Sequence, residues 1–322
     1  MHVQLLIAAM RHPRIGHAMV LRASLWTIAV LYAATRAWPC MAAETLEEGY
    51  AAVLHAMDRL SGPDHAWHDR GNQVEYTFQA HVLPHARALP ALSTQDLRLL
   101  LRAIHATTRA TRQPDHSGLA MRVGLQLRAR GALLAADMRE GAAIAVISRD
   151  RSALKPSSPW APAFGGHPLP QMPEAVQRFE YWMPSPDGAA YSSGVADMAS
   201  LDIVVIAHPA CGFTRAVADA ARVDPQLLQM LSGVRSLWLS PQDGTLDTRI
   251  FTNWSRRHPD LPIRIAARQS AFPAFDYWGT PTFYVLRDGE VAARVVGWPR
   301  DGNKTALVQA FAKAGIRIAG PP

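Results

Sequence analysis

Cys211 is the residue whose type and position most directly suggest chemistry. It follows a continuous apolar, β-branched run at residues 201–207 and precedes a helical pattern at residues 214–231. A thiol at the amino end of a helix faces unpaired backbone N–H groups and the positive end of the helix dipole. Both stabilise the thiolate and lower the pKa of the thiol. The sequence therefore predicts a nucleophilic thiol at this position.

Thr214, three residues further on, limits what that thiol can do. Its hydroxyl can donate a hydrogen bond to the sulfur, but it cannot form a disulfide with it. Such a site makes mixed disulfides and cannot release them by intramolecular attack. A second thiol must then come from a client, a partner or a small molecule, which excludes an ordinary dithiol–disulfide cycle.

The first 43 residues have the pattern of an export signal. They contain four arginines and no Asp or Glu, and an apolar run occupies residues 23–35. A mainly apolar run of thirteen residues suits a signal peptide and is too short to span a bilayer. We predict cleavage near Ala43, export to the periplasm and no integral membrane span in the mature chain. A short uncleaved anchor is the alternative.

The chain has two cysteines, and the other one, Cys40, falls in this segment. The residues before it, Trp38 and Pro39, do not suit a lipidation site, so Cys40 is expected to leave with the signal peptide. The mature protein would then carry a single thiol in an oxidising compartment.

The formal net charge of +7 does not indicate a nucleic-acid partner. Four of the 33 basic residues lie in the N-terminal segment, and the rest of the chain has 29 basic and 26 acidic residues. A nucleic-acid-binding protein concentrates its basic residues along one face or stripe. We therefore expect no nucleic-acid binding.

Residues 44–152 have a helical pattern. Apolar residues recur at three- and four-residue intervals from Leu46 to Leu60, and Gly62-Pro63 ends that segment. A second helix is predicted to start at Ser93, with Asp96 three residues on, and a third at residues 119–130. Residues 132–147 are compatible with a helix or, at their end, a strand. The prediction is a small α-helical domain.

Residues 153–195 are rich in proline, with eight between Lys155 and Pro186. Such density disfavours regular helix and favours an extended connector between two domains. A short element at residues 176–183 is a candidate strand within it.

Residues 196–322 predict a β-α-β-α-β-β-α order. Asp288-Gly289 supplies the tight turn of a β-hairpin. The predicted elements are strands at 201–207, 234–239, 282–286 and 290–296, and helices at 214–231, 247–257 and 304–314. Pro225 is a candidate break in the first of these helices.

This order resembles the thioredoxin-like superfamily over about 120 residues. That family has a CxxC site at the start of its first helix and a cis-proline facing it. The resemblance implies an α/β domain with a central mixed sheet flanked by helices. It also implies that Cys211 is the nucleophile and Pro281 the cis-proline, preceded by Thr280. Here Thr214 stands where the family has its resolving cysteine.

The resemblance further implies protein or peptide clients that carry thiols or disulfides, and it implies no cofactor. We assign the client-binding surface to Thr280, Gly279, Phe213 and Trp278. The alternative is a redox-silent module for binding or assembly in the cell envelope, because a groove beside the cis-proline can bind an extended peptide without a thiol.

The string from Pro209 to Thr214 also resembles the CGFS site of monothiol glutaredoxins. Those proteins carry a Gly-Gly segment after the cis-proline hairpin, where this chain has Val296-Gly297-Trp298-Pro299. Cys211 and Pro281 are also 70 residues apart, which leaves room for an insertion that compact glutaredoxins lack. This interpretation is disfavoured.

Histidines supply the remaining candidates. The spacing of His65 and His68 is compatible with a metal site, since Asp64 and Asp69 flank them and His81 and His85 follow. We interpret residues 64–69 as a solvated loop and predict no metal site.

Other candidates lie in the C-terminal domain. His208 could tune the thiolate or simply end its strand, and His258 lies in the same domain. Trp298, like Trp278, could line the groove or pack in the core.

Overall fold

The computed structural model describes residues 44–113, 115–164, 177–187, 190–232, 235–242, 244 and 248–318. The predicted signal peptide at residues 1–43, including Cys40, lies outside the described residues. Thr45–Pro322 form one compact unit. The described residues contain no helix that is both long and apolar enough to cross a membrane.

The first part of the described chain is a bundle of helices held by a common apolar core. Its start is fixed by a capping box in which Thr45 accepts a hydrogen bond from the backbone N–H of Glu48 and the Glu48 carboxylate accepts one from the Thr45 N–H. The helices are α1 Leu46–Arg59, α2 Trp67–His81, α3 Thr94–Thr111, α4 Ser117–Ala129 and α5 Ala135–Ile147, with a 3-10 segment at Leu83–Ala91.

The predicted helical region is confirmed, with two refinements. Ser93 caps α3 as expected, and the ambiguous residues 132–147 form helix α5. Helix α2 was not predicted. It buries Gly71, Val74, Thr77 and Phe78, and with two apolar side chains on this face the apolar periodicity is weak.

The half-buried His105 on α3 gives this region a specific acid sensitivity. Burial lowers the pKa of His105 to about 4, helped by the nearby positive charges of Arg109 and Arg112. The unfolded chain, with a histidine pKa of about 6.5, binds more protons than the folded chain between these two values. The free energy of unfolding should therefore fall as the pH drops through this window, by up to about 2 kcal/mol.

Urea unfolding at pH 7 and pH 5 measures this effect, because carboxylates contribute little in that range. His105→Gln should make the decline in the free energy of unfolding smaller than in the wild type. His55→Gln, on the exposed face of α1, should keep the wild-type decline because its side chain is in solvent. Equal pH dependence of the two variants would show that His105 is not the group responsible.

Within the described residues, seven strands form one mixed sheet in the order β2-β1-β5-β4-β3-β6-β7. Strands β3, β4 and β5 run parallel, and the other neighbouring pairs are antiparallel. The strands are β1 Glu180–Pro184, β2 Tyr191–Val195, β3 Ile203–Ile206, β4 Ser236–Ser240, β5 Ile263–Ala266, β6 Thr282–Arg287 and β7 Glu290–Val296.

Four helices accompany the sheet: α6 Gly212–Val223, α7 Pro225–Leu231, α8 Arg249–Arg257 and α9 Lys304–Lys313. Apolar residues of all four share one core cluster with the sheet. The predicted break at Pro225 is confirmed, since Asp224 caps α7 by accepting from the Leu227 N–H at 3.1 Å. The predicted fold class, a helical region followed by an α/β region with a mixed sheet, is confirmed.

Within the predicted connector, Glu180–Pro184 and Tyr191–Val195 form sheet strands β1 and β2, the first of which overlaps the candidate strand at 176–183. Ala153, Leu154 and Trp160, near its start, belong to the helical core. The proline-rich composition therefore does not prevent packing at either end. The domain boundaries at 152 and 196 stay predictions.

Two polar side chains join the helical region to the sheet region. Gln242 is almost fully buried; its amide nitrogen donates to the carbonyls of Ile147 and Arg112, and its oxygen accepts from the Gln269 N–H at 3.2 Å. Arg149 stacks over the Trp182 ring, 4.8 Å from its centroid, and donates to the carbonyls of Ala266 and Ala267 at the end of β5. These contacts provide hydrogen-bond donors for backbone carbonyls in both the helical region and the sheet region.

Candidate active site

The fold places Cys211 where a buried strand turns into a helix. Strand β3 is buried along its whole length, and the chain leaves it through His208, Pro209 and Ala210. Cys211 is the N-cap residue of α6, and its backbone N–H donates to the His208 carbonyl at 2.9 Å. Its side chain is half-buried. The thiol therefore lies at the amino end of a 12-residue helix, beside N–H groups that the helix itself leaves unpaired.

Thr280 lies directly against this thiol, although it is 69 residues away in the sequence. Cys211 Sγ donates to the Thr280 carbonyl oxygen at 3.4 Å. The Thr280–Pro281 peptide bond is cis, and Pro281 leads into β6. The Pro281 carbonyl accepts from the Gly297 N–H at 2.8 Å, which ties the loop to the end of β7. The structure thus brings Cys211, Thr280 and Pro281 together.

The surroundings of Cys211 favour its thiolate. Burial raises the pKa of the thiol, but hydrogen bonds from the Thr280 side chain, from the N–H and hydroxyl of Thr214 and from the N–H of Phe213 together hold it below the ordinary value. The contact between Sγ and the Thr280 carbonyl is available only to the thiol, since a thiolate has no proton to donate. The pKa of Cys211 is therefore lowered by hydrogen bonding at the helix start and from the facing loop.

Thr214 is fully buried beneath the cysteine. Its hydroxyl oxygen accepts from the His208 N–H at 3.4 Å, which leaves its proton to point towards the sulfur. The hydroxyl therefore joins the end of the strand to the thiol. Cys211 is the one cysteine among the described residues.

Of the predicted client-binding residues, one is exposed beside the thiol and others lie in packed surroundings. Phe213 is 61% exposed, so an apolar ring is presented to solvent beside the thiol. Gly279 lies against the Tyr277 ring, which occupies the space that a side chain at position 279 would need. Trp278, predicted to line the groove, instead packs in the core: its Nε1 donates to the Phe275 carbonyl at 3.1 Å and it is only 6% exposed.

The remaining candidates have ordinary structural contacts. Trp298 is buried and packs against Phe283. His208 accepts from the Ala210 N–H through Nδ1 at 3.1 Å, and its ring meets Phe251 edge-on. The His258 ring packs on Trp254 at 4.3 Å, and burial lowers the pKa of this histidine.

The predicted solvated loop at residues 64–69 is partly helix, since α2 begins at Trp67. His68 and Asp69 form an exposed contact of 3.3 Å in its first turn. Among the described residues, no group of three or more histidines, cysteines and carboxylates is arranged to hold a metal ion.

A polar network behind the cis-proline loop was not predicted. It contains Asp276, Tyr284 and Arg294, with the Tyr284 hydroxyl 2.8 Å from Asp276 Oδ1 and Arg294 Nη1 2.7 Å from Asp276 Oδ2. Tyr284 and Arg294 are direct partners across the β6–β7 hairpin. The predicted hairpin could have placed these two side chains together, but no local signal indicates that Asp276 joins them.

A separate cavity of about 280 Å³ lies at the opposite ends of the parallel strands. Its walls come from the residues before β3 and from the first residues of β4 and β5, including Leu201, Leu237 and Arg264. Cys211 does not line it. The candidate site is therefore distinct from this cavity.

Fold and site together define an α/β protein with a thiol at a helix start, facing a cis-proline loop. No protein-family model matches the chain, and no curated protein does so either. Among solved structures, the chain is similar to a thioredoxin-like protein from Bacteroides caccae, with 14% identity over 95% of this chain and 99% of that chain, at a TM-score of 0.28. A similarity this weak transfers neither fold nor activity, so the strand order and contacts of the chain itself define its fold.

Proposed function

We propose that this protein is an exported thioredoxin-like protein that performs monothiol chemistry on protein thiols and disulfides. The observation that supports it best is the position of Cys211, with its sulfur at a helix start and in contact with Thr280. A thiolate is the nucleophile in thiol–disulfide exchange, and a low pKa raises its population near neutral pH.

The proposed reaction has two steps. The Cys211 thiolate attacks one sulfur of a client disulfide; the client S–S bond breaks, a mixed disulfide forms, and the second client sulfur leaves as a thiolate. An external thiol, as its thiolate, then attacks the client sulfur of the mixed disulfide and regenerates the Cys211 thiolate. When that thiol belongs to the same client, the outcome is isomerisation without net oxidation.

The clients are proposed to be proteins or extended peptides. The exposed Phe213 ring offers an apolar contact beside the thiol, and the cavity at the other end of the sheet does not include Cys211. The helical region is proposed to recognise partners or to mediate dimerisation. The N-terminal pattern of residues 1–43 supports export to the periplasm.

Alkylation kinetics test the nucleophile. Iodoacetamide should modify Cys211 faster at pH 6 than it modifies glutathione, because a larger fraction of the thiol is ionised. With a disulfide-containing peptide, the wild type should form a mixed disulfide visible by mass spectrometry, and Cys211→Ser should form none. Alkylation no faster than that of glutathione at pH 6 would remove the basis for monothiol chemistry.

A redox-silent binding module is the second candidate, and the exposed Phe213 ring favours it because an apolar contact needs no thiol. This candidate predicts that Cys211→Ser binds a reduced client peptide as tightly as the wild type does. It also predicts that the wild type yields no mixed disulfide with the oxidised peptide. Binding by calorimetry and trapping by mass spectrometry separate the two functions.

A further inference from the structure

The helical region reaches the candidate site through the turn between α1 and α2. The backbone N–H of Trp67 donates to the Asp276 carbonyl at 2.7 Å, and the Pro63 carbonyl accepts from Arg294 Nη2 at 3.2 Å. The Trp67 side chain packs against the core cluster that contains Phe275 and Tyr284. This turn is therefore attached both to the hairpin and to the loop that precedes the cis-proline.

Asp276 is the residue on which these contacts converge. Its carboxylate accepts from the Tyr284 hydroxyl through one oxygen and from Arg294 through the other, while its carbonyl accepts from Trp67. Burial raises the pKa of Tyr284, and its hydrogen bond to Asp276 raises that pKa further, so the hydroxyl keeps its proton. Asp276 thus links the β6–β7 hairpin to the helical region.

From Asp276 the contacts continue to the thiol. The Tyr284 hydroxyl also accepts from the Tyr277 N–H at 2.8 Å, and the Tyr277 ring packs against Gly279. The Gly279 carbonyl accepts from the Thr282 hydroxyl at 2.6 Å, and the next residue, Thr280, contacts Cys211. Contacts at Asp276, Tyr277, Gly279 and Thr280 therefore connect the Asp276 network to the thiol along this loop.

We infer that Asp276 is a positioning residue that holds Thr280 against Cys211, and that the α1–α2 turn of the helical region is part of this support. The inference rests on the proposed role of Cys211 as the nucleophile. It gives the helical region a specific role within the site, in addition to the proposed recognition of partners. The side chain of Asp276 touches no reacting atom and acts through the loop.

The pH profile of Cys211 alkylation tests the inference. Asp276→Asn keeps an acceptor for Tyr284 but faces Arg294 with an amide in place of a carboxylate. Thr280 should then be held less firmly, and its hydrogen bond to the thiolate weakens. The midpoint of the alkylation profile should rise by about half a unit, and the rate at pH 6 should fall about threefold. The other ionisable groups beside the path are Arg294, Tyr284, Tyr277, His208 and Arg215.

The matched control is Asp202→Asn, which removes the carboxylate of the Arg235–Asp202 ion pair before β3. It should leave the alkylation profile unchanged even where it lowers stability. Arg294→Gln, which removes the charged partner of Asp276, should reproduce the shift, and Arg294→Lys should retain most of the wild-type profile. These two variants keep the inference testable if Asp276→Asn does not fold.

Wild-type alkylation profiles in both Asp276→Asn and Arg294→Gln would overturn the inference. Equal shifts in these variants and in Asp202→Asn would also overturn it, because they would reflect a general loss of stability. Alkylation reports the thiolate whether or not disulfide exchange occurs. A failure of the proposed function therefore leaves this test intact, and the two results can be told apart.

Discussion

Under the proposed function, replacing Thr214 with cysteine is expected to speed the release of a client bound to Cys211 as a mixed disulfide. In the wild type, a mixed disulfide on Cys211 has no second thiol among the described residues and persists until an external thiol arrives. In Thr214→Cys, the introduced thiolate attacks Cys211 Sγ, the client leaves as a thiolate, and a disulfide joins positions 211 and 214. Because this attack is intramolecular, release should be about 100-fold faster than by a dilute external thiol.

Two control variants separate the effect of the Thr214 hydroxyl from the effect of having no thiol at position 214. Thr214→Ser keeps the hydroxyl and should retain mixed disulfides as the wild type does. Thr214→Val removes the hydroxyl that stabilises the thiolate, so the pKa of Cys211 should rise while mixed disulfides remain trapped. Mass spectrometry of quenched reactions follows the adduct. Equally slow release from Thr214→Cys and Thr214→Ser would show that position 214 is not placed to resolve a disulfide.

The position of Cys211 could be predicted because its signals are local. A buried β-branched run, a short loop and an amphipathic helix follow one another directly, and the thiol stands at the junction. The hairpin could be predicted for the same reason, since Asp288-Gly289 encodes its turn. Pairing Cys211 with Thr280 required the family resemblance, because no sequence pattern connects residues 69 positions apart.

Short and polar elements escaped prediction because tertiary contacts stabilise them. Strand β5 has four residues with Arg264 among them, and it is held by hydrogen bonds to β4 and β1. Strand β2 is an edge strand of mostly polar or small residues and pairs only with β1 in the described sheet. Neither has the length or alternation that sequence reasoning needs.

The support behind the candidate site is the least predictable part. Asp276, Trp67 and Arg294 come from three separate segments, and only the packing of the helical region on the sheet brings them together. Trp278 shows the converse: its position beside the cis-proline hairpin suggests a client contact, whereas the ring packs against Phe272 and Phe275. A residue's distance from a motif in sequence thus says little about which way its side chain faces.

Trp160 is expected to carry the largest single contribution to the stability of the helical region. It is fully buried, although it lies within the proline-rich segment, and it packs between Gly124 of α4 and Gly141 of α5. Any side chain on either glycine would overlap the indole ring. Trp160→Ala should lower the free energy of unfolding by about 3–5 kcal/mol, since the surrounding helices can collapse only partly into the space left.

The glycines offer a test within a single helix. Gly124→Ala should lower the free energy of unfolding by about 1–3 kcal/mol because its methyl group meets Trp160. Gly118→Ala, also on α4 but with open space around it, should be neutral or stabilising by up to about 1 kcal/mol, as expected from helix propensity. Urea denaturation of both variants and of Trp160→Ala gives the three values. If Gly124→Ala were tolerated as well as Gly118→Ala, Trp160 could not occupy the space between α4 and α5, and the start of the proline-rich segment would have to pack elsewhere.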